Sequence, residues 1–176
     1  MSEFIFLDRD GTIIKDKPYM SNPKEIEFLP KAIIGLQKLR DAGYKFIIVS
    51  NQAGIARSFY SKNDAKKFNN KLVAKLNSHG IKIEKIYICP HHPDFTGLCI
   101  CRKPNTGMAE TAASEFRIKL NKALYIGDKD CDIQLGKNCG GKTFLIDNDQ
   151  YETSVEPNYK VKNILEASEI IVTTSL

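Results

Sequence analysis

Five short apolar runs, separated by stretches of helical period, constrain this chain more than any other feature of its sequence. The runs cover residues 4–7, 45–49, 83–88, 124–126 and 143–146. Between them, residues 30–41 place Ala32, Ile33, Leu36 and Leu39 on one helical face, with Gly43 as a stop. Ser61 opens a second helix, in which Ala65, Phe68, Leu72 and Leu76 recur at spacings of three and four before Gly80. Residues 108–116, 130–138 and 163–168 read as three further helices. Regular strand–helix alternation implies an α/β fold: parallel strands in a three-layer α/β/α, Rossmann-like sheet, with helices on both faces. Ligands of such sheets bind at the carboxyl ends of the strands. Asp8, Ser50 and Asp128 each end an apolar run, so the pattern brings all three to the same edge.

At 176 residues the length suits a single domain, residues 1–176. A content of 42% hydrophobic and 27% charged residues is that of an ordinary globular protein. The net charge of +5 is scattered, and Lys62, Lys66, Lys67, Lys71 and Lys75 lie along one helix as a solvated face. The N-terminus has no signal-peptide pattern, and no window approaches the ~20 apolar residues of a membrane span. The expectation is therefore a cytoplasmic monomer with no membrane or nucleic-acid partner. In a reducing compartment, clustered cysteines point to metal rather than to disulfides.

Taken alone, Asp8 and Asp10 could form a capping turn. That reading weakens because Asp128 and Asp132 also end a strand and open a helix, which makes several carboxylates converge. Crowded carboxylates raise one another's pKa unless a cation intervenes. An open, oxygen-rich site suits Mg²⁺ together with a substrate phosphate. Lys103, on a nearby loop, can offset phosphoryl charge, and an ionised Asp is a competent covalent nucleophile.

Asp8-Arg-Asp10-Gly-Thr12, Ser50-Asn51, Lys103 and Gly127-Asp128-Lys129 with Asp132 resemble, in order, the four motifs of the haloacid dehalogenase superfamily of phosphatases. The resemblance implies a nucleophilic Asp8 that forms an aspartyl-phosphate, and an Asp10 that acts first as acid and then as base. It implies that Ser50 and Lys103 bind the transferring phosphoryl group. Mg²⁺ would be held by Asp8, the main-chain carbonyl of Asp10, and Asp128. Asp132 would stand behind these groups or open its helix. The intervals between the motifs leave no room for an inserted cap domain, so a capless member is expected.

A loop takes the place of a cap. Cys89, His91, Cys99 and Cys101 offer three thiols and an imidazole within residues 89–101, a donor set suited to structural Zn²⁺. His91 is preferred to His92 because Cys89-x-His91 mirrors Cys99-x-Cys101, leaving His92 in a supporting position. Cys131 and Cys139 read as core thiols. A metal in the loop would aim Arg102 and Lys103, which follow it directly. With this loop, the chain resembles the D-glycero-D-manno-heptose 1,7-bisphosphate phosphatases, near the histidinol-phosphate phosphatases, from residue 4 to about 146. That resemblance implies substrate contacts by Asp16, Lys17, Pro18, Tyr19, Asn51, Gln52, Ala53, Arg57, Arg102 and Lys129. It also implies hydrolysis of the 7-phosphate of a heptose bisphosphate, on the way to nucleotide-activated heptose and lipopolysaccharide.

Three alternatives stand beside this expectation. The first is a histidinol-phosphate phosphatase, against which Arg102 would face a cationic substrate and no dehydratase domain follows. The second is a nucleic-acid end phosphatase, whose usual aromatic-lined cationic groove is not evident in the sequence. The third is a non-catalytic metal-loop binding module, which would not need two crowded carboxylates at positions 8 and 10.

Overall fold

The computed structural model describes residues 4–148 and 150–174. Six parallel strands form one sheet: β1 (Phe4–Leu7), β2 (Lys45–Asn51), β3 (Ile83–Cys89), β4 (Leu124–Gly127), β5 (Lys142–Ile146) and β6 (Tyr159–Val161), in the order β3-β2-β1-β4-β5-β6. The chain steps outward from β1 to β3, then crosses back to β4 and proceeds the other way. The order therefore reverses between β1 and β4, which is where ligand crevices open in doubly wound sheets.

The helices are α1 (Ala32–Asp41), α2 (Ala53–Ala56), α3 (Lys62–Ser78), α4 (Pro93–Thr96), α5 (Gly107–Phe116), α6 (Asp130–Asn138) and α7 (Ile164–Thr174). Strand side chains alternate between two cores, as a pleated sheet requires. Ile5, Leu7, Phe46, Ile48, Ile126 and Phe144 pack with Leu36 and Leu39 of α1, Phe68, Leu72 and Leu76 of α3, and Ile164 and Ile171 of α7. Phe4, Phe6, Ile47, Val49 and Tyr125 pack on the other side with Met108, Ala109 and Ala112 of α5 and Leu135 of α6. The expected three-layer arrangement is present. Among the described residues no domain is inserted between Thr12 and Lys103, and no helix is long and apolar enough to cross a membrane.

Local signals account for most of the element ends. Ser61 caps α3 in a reciprocal capping box, with its Oγ accepting from Asp64 N and Asp64 Oδ2 accepting from Ser61 N. Lysines 62, 66, 67 and 71 are exposed along that helix, while Lys75 donates to Ile26 O at 3.0 Å. The first helix starts at Ala32 rather than at residue 30, because Lys31 takes a left-handed conformation. The terminal helix runs to Thr174, well beyond residue 168. Two short helices, α2 and α4, and the three-residue edge strand β6 have no counterpart in the expected pattern. Segments that short carry too little periodicity to read, and β6 exists through its pairing to β5.

Candidate active site

β1 delivers Asp8 to the carboxyl edge, where its amide donates to Ile126 O of β4 at 2.9 Å. β4 delivers Asp128, β2 ends in Ser50 and Asn51, and the first turn of α6 supplies Asp132. A pocket of about 230 Å³ is lined by Asp8, Asp10, Ser50, Asn51, Arg102, Lys103, Lys129, Cys131 and Asp132. Oxygens of Asp8, Asp128 and Asp132 lie within 4.8 Å of one another, and all three residues are buried.

Lys103 is the cation inside this cluster. Its Nζ donates to Asp8 Oδ1 at 2.5 Å and to Val49 O at 2.8 Å, and pairs with Asp132 Oδ1 at 2.6 Å. Burial alone would lower its pKa, but the charges of Asp132 and Asp8 raise it above its ordinary value. Asp8 is shifted upward by burial, against the pull of Lys103 and with a push from Asp132.

Asp128 is the anomaly. Both of its carboxylate oxygens are buried without a hydrogen-bond partner. Lys129 Nζ stands 4.0 Å from Oδ2, an ion-pair distance beyond hydrogen-bond reach. Burial, and next the charge of Asp8, push Asp128 up to about 8. Gly11, at φ +86°, makes the close approach possible, since a Cβ there would sit 2.1 Å from Asp128 Oδ2. Buried polar atoms in folded proteins are almost always satisfied. An unpartnered carboxylate beside two others is a donor set for a hard cation, and Asp8, Asp128 and Asp132 fit one. The Asp10 side chain is not part of that group.

Asp10 is instead held by a residue the sequence reading passed over. Arg9, only 1% exposed, donates through Nε and Nη2 to both Asp10 oxygens at 2.9 and 2.8 Å. Its Nη1 donates to Asn69 at 2.8 Å, and the guanidinium lies 4.4 Å from the Phe68 ring centroid. Asn69, a polar residue on the buried face of α3, was the one available sign of this partner. Gln52 completes the setting: its Nε2 donates to Asp10 Oδ2 at 2.9 Å and Ser50 Oγ at 2.7 Å, while its Oε1 accepts from Tyr60 at 2.6 Å. Tyr60 was likewise unread.

Other expected substrate contacts divide into distinct settings. Asn51 clasps the main chain of Lys103, donating to its carbonyl and accepting from its amide at 3.1 and 3.0 Å. Arg102 lines the pocket and donates to His91 O at 3.2 Å. Asp16 accepts from Lys129 Nζ at 2.8 Å and from Tyr151, another unread residue, at 2.7 Å. Lys17 pairs with Glu27 at the surface, and Pro18 is exposed beside it. Tyr19, at φ +54°, packs on Phe59 with ring centroids 4.3 Å apart. Ala53 opens α2. Arg57 lies over the Phe95 ring and 3.4 Å from His92 Nε2. Cys131 lines the pocket rather than the core, because α6 turns its first residues toward the carboxyl edge. Cys139 packs against the second core as expected.

The cysteine loop closes on itself. Cys89, His91, Cys99 and Cys101 gather within 4.8 Å. Cys101 Sγ is 3.1 Å from Cys89 Sγ, 3.5 Å from Cys99 Sγ and 3.3 Å from His91 Nδ1, while Cys89 Sγ is 3.6 Å from Cys99 Sγ and 3.7 Å from His91 Nδ1. A tetrahedral ion with ~2.3 Å metal–sulfur bonds spaces its sulfurs roughly 3.8 Å apart, so the donors are already near their metal-bound separations. His92 stays outside the cluster: its Nδ1 accepts from Asp94 N at the start of α4. Burial raises the Cys89 and Cys101 thiols, whereas Cys99 is lowered, against burial, by the Arg102 amide and its neighbouring thiols.

Comparison with known proteins agrees with this geometry. The family profile described as polynucleotide kinase 3 phosphatase matches residues 3–161. A D-glycero-alpha-D-manno-heptose-1,7-bisphosphate 7-phosphatase of Photorhabdus laumondii is 40% identical over 147 residues, covering 80% of each protein. The D-glycero-beta-D-manno-heptose-1,7-bisphosphate 7-phosphatase of Pasteurella multocida is 35% identical over 150 residues, 83% of this chain and 82% of its own length. Among solved structures, D,D-heptose 1,7-bisphosphate phosphatase from B. bronchiseptica, complexed with magnesium and phosphate, superposes with a TM-score of 0.86 at 25% identity, covering 98% of this chain and 99% of that one. By its order of strands, its strand-end carboxylates and these likenesses, the chain belongs to the haloacid dehalogenase phosphatases, within the family described as polynucleotide kinase 3 phosphatase.

Proposed function

We propose that this protein is a Mg²⁺-dependent phosphomonoesterase that removes the 7-phosphate of D-glycero-D-manno-heptose 1,7-bisphosphate, with Zn²⁺ as the structural ion of residues 89–101. One observation carries the phosphatase reading: the unpartnered, buried Asp128 carboxylate beside Asp8, with the Lys103 ammonium already among the same carboxylates. The sugar substrate is supported by relatives named for it at 35–40% identity over most of the chain.

When bound, the cation supplies charge that offsets the phosphoryl oxygens; Asp8, Asp128 and Asp132 are the side chains that would hold it. The remaining chemistry belongs to the chain. An Asp8 oxygen attacks phosphorus, the bond to the sugar oxygen breaks, and Asp10 gives that oxygen a proton. Water then attacks the phosphorus of the aspartyl-phosphate, Asp10 takes its proton, and inorganic phosphate leaves with Asp8 regenerated. Ser50 and Lys103 hold the transferring oxygens, and Arg9 with Gln52 fixes where the Asp10 carboxylate points. Arg102 remains for the second phosphate, which its planar fork suits.

A second reading, a nucleic-acid end phosphatase, is favoured by the description of the matching family and by exposed aromatics beside cations, Phe95 with Arg57 and Tyr151 with Lys129. A substrate panel separates the two. The heptose bisphosphate, as either anomer, is expected to give a higher kcat/KM than histidinol phosphate or a 3′-phosphorylated oligonucleotide. A preference for either of the latter overturns the sugar assignment.

A further inference from the structure

Lys129 enters the pocket from the start of α6, and one neighbour that holds it comes from the connection between β5 and β6. Tyr151 donates its hydroxyl to Asp16 Oδ2 at 2.7 Å, the same oxygen that accepts from Lys129 Nζ at 2.8 Å. The ammonium also lies 4.5 Å from the Tyr151 ring centroid. The ammonium, the carboxylate and the phenol thus form a closed triangle at the rim. The connection that carries Tyr151 is itself tied down on either side. Asn148 Nδ2 donates to Gly11 O at 3.1 Å, next to the glycine that lets Asp128 approach. Beyond Tyr151, the Ser154 and Val155 amides and the Ser154 hydroxyl donate to the Asp130 carboxylate at 2.7–3.0 Å.

Nothing in the core requires this tyrosine, which is 41% exposed. Its contacts run to Asp16 and Lys129, and Lys129 is the one that lines the pocket. We infer that Tyr151 is a positioning residue that sets substrate affinity: it holds the Lys129 ammonium at the pocket so that a phosphorylated substrate meets a cation already in place. The inference rests on the phosphatase reading and adds to it a specificity element outside the strand-end motifs. Physically, the flexible lysine stem is restrained by a hydrogen-bonded carboxylate and an aromatic face. Less side-chain entropy is then lost when the substrate arrives.

The test is a double-substitution cycle read by steady-state kinetics on whichever substrate the panel ranks first. The inference is thus tested even if the heptose assignment fails. Tyr151→Ala is expected to raise KM about three- to tenfold, with kcat within about twofold of the parent, from loss of one hydrogen bond to a charged group and one cation–π contact. Tyr151→Phe, which keeps the ring, should give a smaller rise. In a Lys129→Met background the same Tyr151→Ala change should no longer move KM, because the cation it positions is gone. Thermal melting of each variant checks that the fold is intact. An unchanged KM in Tyr151→Ala, or an equal rise with and without Lys129, overturns the inference.

Discussion

Asp128 shows how a single carboxylate can be costly to the fold and useful to the site. Its pKa is pushed up to about 8 by burial and by Asp8, well above the value an unfolded chain would show. Between those two values the metal-free folded state holds a proton that the unfolded state has lost, so stability falls as pH rises through that window. Metal-free protein should therefore melt lower at pH 8 than at pH 5.5, and added Mg²⁺ should raise the melting temperature more at pH 8. Asp128→Asn should flatten the pH dependence and melt no lower than the parent at pH 8, yet lack turnover; a steep remaining dependence would locate the penalty elsewhere. Asp8→Asn should likewise abolish turnover while circular dichroism stays unchanged, and residual phosphatase activity at the parental rate would refute the covalent route. Arg9 makes a different prediction. Arg9→Met takes the bidentate partner from Asp10, leaving it Gln52, and takes the partner of Asn69. Loss of these hydrogen bonds to a part-buried carboxylate is worth roughly 1.5–3 kcal/mol. Arg9→Lys keeps the charge but not the fork, so it should fold better than Arg9→Met and still show a lower kcat than the parent. The convergence of Asp8, Ser50, Lys103 and Asp128 on one candidate site was legible because strand ends and charge reveal such groups. Arg9, Tyr60 and Tyr151 were not, since each acts through a partner more than seven residues away or through a geometry no spacing encodes.

Among the elements, the cysteine loop and α7 carry the clearest tests. The loop is bound to β2 by the Asn51 clasp on Lys103 and by Gln52 N donating to Cys89 O at 2.8 Å. Chelating any metal that the loop binds, or substituting Cys99→Ser, should loosen Arg102 and Lys103 while leaving the sheet in place. A fall in kcat/KM of at least about tenfold is expected, in line with the loss of one preorganised phosphoryl-stabilising donor. Catalytic efficiency that survives chelation would mean that the loop does not organise the site. The last helix packs its start against α1 at Gly35, where a Cβ would lie 2.6 Å from the backbone of Ile164 and Leu165. Gly35→Ala should cost about 1–3 kcal/mol by forcing those helices apart, measured by denaturant unfolding, with kinetics little changed. Four-residue α2 and α4 escaped the sequence because one helical turn has no period. The longer helices were plain because their apolar faces repeat.

Across the whole molecule, core and site meet at α3. Phe68 and Leu72 are both fully buried in the same cluster, but only Phe68 also lies against the Arg9 guanidinium. Leu72→Ala should cost about 2–5 kcal/mol, and Phe68→Ala about 3–5 kcal/mol. The leucine change should spare kcat/KM at a temperature where both variants are folded, and the phenylalanine change should lower it; equal activities would uncouple the two. Most of this architecture follows from pattern alone. Alternating apolar runs and helical faces make parallel strands covered on both sides, and that arrangement gathers Asp8, Ser50 and Asp128 at one edge whatever the details. Close spacing made the gathering of Cys89, His91, Cys99 and Cys101 legible, since all four donors lie within thirteen residues. The tertiary structure decided which histidine joins the thiols and which carboxylate is left without a partner. It also decided that Arg9 supports Asp10 and that a connection beyond β5 returns to steady Lys129. The Asp128 and Tyr151 outcomes depend on contacts between residues distant in sequence. The choice of histidine and the turn of Arg9 onto adjacent Asp10 depend on side-chain direction. Periodicity and spacing carry no information about either.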